Sequence, residues 1–213
     1  MPVKRARGDR ILERALEDLG SALDATGAKW MIIGGIAVIA RGVRRFTTDI
    51  DAAVRGDDVS IARLVKALAA LKITPRIPDA AAFARANLVL LVRHEPTGVD
   101  LDVSLAWSSF EHEALDASTQ VRFGRVRVPM STPADLVVFK SIAGRPRDLD
   151  DIEALLVLHP DIDLRRARQR VKELAVLAEA PELLKGFDVA ARRARASSIA
   201  KPARKSKTPR PRK

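Results

Sequence analysis

Three short stretches carry the residues best suited to chemistry. Gly34-Gly35 closes an apolar run, Asp49-Ile50-Asp51 follows thirteen residues later, and Asp100-Leu101-Asp102 comes about fifty residues further on. Glycines lack a Cβ, so their backbone amides can approach a phosphate closely, and a helix start behind them adds a favourable dipole. Residues i and i+2 of a strand share a face. Asp49 and Asp51 therefore project together, while Ile50 and Ala52 face the core. Two carboxylates side by side repel each other unless a cation neutralises them. The chain has no cysteine, and its three histidines, His94, His112 and His159, are scattered without ligand spacing. A metal here would be oxygen-bound, which points to Mg2+ or Mn2+. Such an ion can also bridge triphosphate oxygens. A third carboxylate from the later strand, Asp102 or its rival Asp100, would complete a set able to support in-line phosphoryl chemistry.

These side chains need strands to hold them. Trp30-Met31-Ile32-Ile33 reads as a short buried strand turning sharply at the glycines. Asp49 to Val54 reads as the next strand, and residues 87–93 and 98–105 as two more. Residues 120–128 alternate around Gly124 and read as a hairpin. Helical spacing predicts helices over 10–25, 36–40 and 58–71. Thr132 before Pro133 is a helix start signal, and Gly144 a stop. Further helices are expected over 149–158, 163–178 and 180–190. Strands mixed with helices, followed by helices alone, predict an α/β (α+β) core, a small mixed sheet flanked by helices, with a helical C-terminal region.

Composition sets the outer bounds. The 213 residues are 47% apolar and 31% charged, ordinary for a globular protein, and only 4% aromatic, with no tyrosine. Base-stacking recognition of single strands is disfavoured on that count. No apolar run approaches the ~20 residues that span a bilayer, and the basic N-terminus lacks the apolar stretch of a secretory signal. A cytoplasmic protein without membrane association is expected. Of the net charge of +11, ten Lys and Arg lie between Arg192 and Lys213 with no acid, leaving +1 for residues 1–191. A core over 1–130, a helical subdomain over 131–190 and a disordered basic tail over 191–213 are the expected divisions. The tail would attract phosphates without reading sequence.

Gly34-Gly35, then Arg45-Phe46-Thr47-Thr48-Asp49-Ile50-Asp51, then a later strand aspartate resemble the DNA polymerase beta-type nucleotidyltransferase superfamily, and within it the AbiEii-type toxin-like nucleotidyltransferases. Asp102 to Glu111, the Asp-x4-Lys spacing of Asp135 and Lys140, and the Arg-x-x-Asp segment from Arg145 to Asp148 resemble the same subgroup. The resemblance covers roughly residues 10–160 and implies the polymerase beta-like nucleotidyltransferase fold. It also implies a nucleoside triphosphate (NTP) substrate, a phosphate loop at Gly34 and Gly35, metal ligands at Asp49 and Asp51, and Asp102 as third carboxylate and base. Lys140 would contact triphosphate, and Arg45 and Thr47 would line the pocket. The superfamily's loop is often Gly-Ser, so Gly35 removes a hydroxyl donor. An RNA or tRNA acceptor and an antitoxin partner are further implications. A catalytically inactive nucleotide- or nucleic-acid-binding module on the same fold is the alternative. Plainer roles also exist: Lys140 snorkelling from a core face, Arg145 to Asp151 as a solvated helix start, Trp107 and Phe110 as packing.

Overall fold

A computed structural model describes residues 7–200. Among these residues, seven strands form one mixed sheet in the order β3-β4-β5-β2-β1-β7-β6, and helices pack around it. This is the mixed α/β sheet flanked by helices that the sequence predicts. Its centre is built from β1 (Trp30–Ile33), β2 (Asp49–Arg55) and β5 (Val99–Ala106). β2 runs antiparallel to β1 and parallel to β5. β3 (Ile73–Pro75) and β4 (Val89–His94) extend the β5 side, and the hairpin of β6 (Thr119–Phe123) and β7 (Val126–Met130) closes the other.

The pleat sorts the central strands into two faces. Ile50, Ala52 and Val54 of β2 and Leu101 and Val103 of β5 are fully or almost fully buried. They face α1 (Arg7–Asp24), whose Leu12, Leu16, Leu19 and Leu23 supply the opposing layer. From β4, His94 points the same way and bonds Asp18 of α1 at 2.8 Å. Burial of this size, at roughly 25 cal/mol per Å² of apolar surface, fixes the strand register, because a one-residue slip would bring the aspartates into the core.

The opposite face belongs to the acidic residues. α2 (Gly34–Ala40) starts on it directly after β1 and packs against α6 (Pro133–Ala143). Thr132 caps α6 by accepting the Asp135 N–H, with Pro133 in the first turn and Gly144 at the stop, as predicted. α7 (Pro146–Leu158), α8 (Leu164–Leu177) and α9 (Glu182–Ala200) complete the C-terminal helices. The proposed boundary at residue 130 falls between β7 and α6.

Three expectations need correction. Residues 191–200 are the end of α9, not the start of a disordered tail: Ala194 is buried, and the Ser197 hydroxyl donates to Glu153 of α7 at 2.8 Å. An amphipathic face with a partner helix outweighs the basic composition there. Residues 201–213, which hold the rest of that tail, and the basic residues 1–6 lie outside the described residues. The second point is β3 together with the helices α4 (Ala80–Asn87) and α5 (Ser109–Ala117), which the sequence does not predict, whereas α3 (Ile61–Ala70) is expected. Ser108 and Glu111 form a reciprocal capping box at the start of α5, a signature present in the sequence. Finally, Trp107 is not packed: it is 64% exposed, whereas Phe110 is buried against Phe139 at 5.0 Å between ring centroids.

Truncating Ile50, which is buried between the central strands and α1, should cost about 2–5 kcal/mol of stability. Urea unfolding of Ile50→Ala measures it, and a loss below about 1 kcal/mol would mean that this face is not the core.

Candidate active site

The register of β2 on β5 brings four carboxylates together. Asp49 lies opposite Asp100 and Asp51 opposite Asp102, on parallel neighbouring strands and on the same face. Like charges directly opposed across a strand pair are unfavourable. The structure answers this repulsion unevenly.

On β5 the charges are matched. Arg93, opposite Asp100 on β4, donates to it at 2.7 Å and holds its carboxyl below the usual range. Arg76, just after β3, is hydrogen-bonded to Asp102 and lies 3.8 Å from Asp100. On β2 they are not: among the described residues, neither Asp49 nor Asp51 has an ion-pair partner. Asp49 accepts a hydrogen bond from the Thr47 hydroxyl at 2.6 Å. Burial pushes the Asp51 carboxyl up, and the charges of Asp49 and Asp102 push it further. The Gly35 N–H and the positive charge of Lys140 pull the other way without cancelling the rise.

The glycines are there because nothing larger fits. Gly34 has φ +61°, and a Cβ on it would lie 1.8 Å from the Asp51 Oδ2. A Cβ on Gly35 would lie 2.5 Å from the Thr47 Oγ1. The pair thus lets the start of α2 press against Asp51 and against Thr47, which bonds Asp49. The sequence argued for these glycines from phosphate approach, and the structure adds a contact with the Asp51 carboxylate itself.

Behind Asp51 lies a buried charge network. Lys140 of α6 donates to Asp148 at 2.8 Å and lies 3.1 Å from Asp151, and all three are buried. Arg45 donates to Asp151 at 2.6 Å, and Arg145 to Asp148 at 2.6 Å. Burial would raise the Asp148 carboxyl, but the hydrogen bonds from Arg145 and Lys140 outweigh it and hold it low. Asp148 and Asp151 are therefore not a solvated helix start. Asp151 ties the Arg45 loop, which leads into Asp49, to α6 and α7. Lys140 is turned into this network, close enough to Asp51 for its charge to be felt there. Arg145 in turn feels the charges of Asp51 and Asp49. Sequence reasoning missed Arg76, Arg93 and Asp151 as members of the site. Arg93 carried a signal, since it alternates onto one face of its strand, but Arg76 and Asp151 depend on contacts distant in sequence.

The donor set is all oxygen. Among the described residues, however, no three carboxylates or imidazoles close to the spacing of a finished metal cage. Asp102 is drawn to Arg76 instead.

Two outcomes follow for the metal-free protein. Below the ordinary aspartate range Asp51 is protonated whether folded or unfolded. As pH rises past 3.8 and through its raised folded value, the folded state is disfavoured. Asp51→Asn should flatten that decline and raise stability at neutral pH by about 1 kcal/mol, or about 2–4 °C in Tm, in melts run with EDTA. Removing one partner of the buried network should act oppositely: Asp148→Ala should cost about 3–5 kcal/mol in the same assay.

Solved structures share this fold. ANT(2")-Ia in complex with adenylyl-2"-tobramycin aligns with TM-score 0.52 at 16% identity, covering 78% of this chain and 99% of that one. An antigenic nucleotidyltransferase-like protein from Paracoccidioides brasiliensis aligns with TM-score 0.50 at 16% identity, covering 82% and 91%. JHP933 from Helicobacter pylori aligns with TM-score 0.50 at 12% identity, covering 92% and 94%. No individual curated protein matches the chain in sequence. Residues 10–188 match the model of the family described as nucleotidyltransferase of unknown function (DUF6036), and the chain belongs to that nucleotidyltransferase family.

Proposed function

We propose that this protein transfers a nucleotide from an NTP to an acceptor hydroxyl, using Mg2+ or Mn2+ held by Asp49, Asp51 and Asp102. The observation that carries this reading is the unpaired acidic couple Asp49 and Asp51, registered beside Asp102 and repelling it across the β2–β5 seam. Aspartates are unfavourable strand residues, and two adjacent ones without an ion-pair partner, beside a third on the next strand, suit a hard divalent ion. When bound, that ion would neutralise the carboxylates and polarise the triphosphate.

The remaining chemistry belongs to the chain. Asp102 accepts the proton of the attacking hydroxyl. The acceptor oxygen bonds to the α-phosphorus, the bond to the bridging oxygen breaks, and pyrophosphate leaves. Gly34 and Gly35 keep the start of α2 free of side chains beside the phosphates. Lys140 and Arg145, fixed by Asp148, supply positive potential behind Asp51. Arg45 and Thr47 hold the loop that sets the direction of Asp49.

For the acceptor we propose RNA, tRNA among its forms, and a toxin role restrained by an antitoxin. The AbiEii-type motifs from Arg45 to Asp51 and from Asp102 to Glu111 support this reading, as do the basic residues beyond 200. A small hydroxylated acceptor is the second reading, favoured by the adenylyl-tobramycin complex of the structural neighbour ANT(2")-Ia.

Incubation with each α-labelled NTP, Mg2+ and total RNA, with an aminoglycoside panel in parallel, tests the reading. Label should enter RNA, and Asp49→Ala should reduce the rate by about 10³-fold or more, the loss of several kcal/mol of charge stabilisation. Label on an aminoglycoside alone would transfer the site to the second reading. Triphosphate binding with no labelled product in any pool would mean a binding module.

A further inference from the structure

Arg76 holds a carboxylate that the proposed reaction needs. Its backbone is part of the sheet: the Arg76 N–H donates to the Leu91 carbonyl at 3.2 Å, extending the β3–β4 ladder by one residue. Leu91 lies opposite Asp102 on β5. Arg76, Leu91, Asp102 and Asp51 thus form one row across four strands. The Arg76 side chain crosses Leu91 and ends on the Asp102 carboxylate. It is partly exposed, as is Asp102, on a stretch of the sheet where the next residue of the same face, Arg93, is exposed too. Its guanidinium sits at the end of a long side chain that is partly open to solvent.

The contact is not needed to hold Asp102, which β4 and β2 flank in register on both sides. Nor is it needed for Asp100, which has Arg93. What it supplies is a positive charge at the one site carboxylate where a divalent ion would join β2 to β5.

We propose that Arg76 is a positioning residue that stands in for the cation at Asp102. The guanidinium and the divalent ion compete for the same carboxylate, so Arg76 sets the cation concentration at which the site assembles. With an ion bound at Asp102, the Arg76 side chain would keep Asp100, its second partner. Asp102 would then be free to join Asp49 and Asp51 in holding it. Arg76 thereby also distinguishes the two β5 aspartates: Asp100 stays bound to arginine, and Asp102 is exchanged. This inference rests on the metal-dependent reading above.

Mn2+ binding without nucleotide, followed by the EPR signal of the free ion, tests it on the full chain. An opposite charge at this range changes a carboxylate's affinity for a proton by a factor of ten or more, and a competing cation feels the same charge. Arg76→Ala and Arg76→Gln should each tighten Mn2+ binding about tenfold. Asp102→Asn should weaken it, and adding Arg76→Ala to Asp102→Asn should change nothing further. The Mg2+ concentration giving half-maximal transfer should fall in Arg76→Gln by a similar factor. Thermal melts confirm that each variant is folded, and Gln keeps a hydrogen bond to Asp102 if Ala does not fold. Equal or weaker Mn2+ binding in the folded Arg76 variants, with binding still abolished by Asp49→Ala, overturns the role of Arg76 and leaves the metal site standing. Absence of Mn2+ binding in every form, wild type included, overturns both.

Discussion

Repulsion between aspartates on adjacent parallel strands is the constraint around which this structure is arranged. The apolar faces of β2 and β5 against α1 fix the register, and that register leaves Asp49, Asp51, Asp100 and Asp102 no option but to share the other face. The energy of the core thus holds an arrangement that is unfavourable by itself. The stability given up at such a place is recovered in the packing elsewhere.

The surrounding residues sort by how they meet that charge. Arg93 and Arg76 answer it directly on β5. The glycines bring the start of α2 against β2, where the Gly35 N–H reaches Asp51. Lys140 and Arg145 act from behind through a buried network closed by Asp148 and Asp151. That network also joins the C-terminal helices to the loop carrying Arg45 and Thr47, so the sheet and the helical region share the work of orienting Asp49. A buried ion-pair network of this kind contributes little net stability when intact and is costly to break. Its value lies in fixing positions.

Much of this was legible from local pattern. The β1 run, the i, i+2 aspartates and the Thr132-Pro133 start are short-range signals, and each gave its element. The fold class followed from the order of strands and helices. What stayed hidden depends on contacts distant in sequence. Arg76 has meaning only once β3 and β4 are paired beside β5, and β3 is three residues long. The run from Arg145 to Asp151 has the same composition whether solvated or buried; only the packing of α6 against α7 and α9 decides it. For residues 191–200 the net charge pointed to disorder, while Ala194 already lay on an apolar face that α7 covers. Trp107 was misjudged because the strand ends at Ala106 and the α5 cap begins at Ser108, leaving the indole between them in solvent.

The central claim is that the β2 pair and Asp102 form one cation-binding, triphosphate-processing centre. A crystal structure with Mn2+ and an NTP that cannot be cleaved between the α- and β-phosphates tests it most directly. The account predicts an anomalous peak in contact with both Asp49 and Asp51, with the α-phosphate on the same ion and the Asp102 carboxylate turned toward it. Manganese and triphosphate bound elsewhere, with Asp49 and Asp51 still facing each other without an ion, would contradict it.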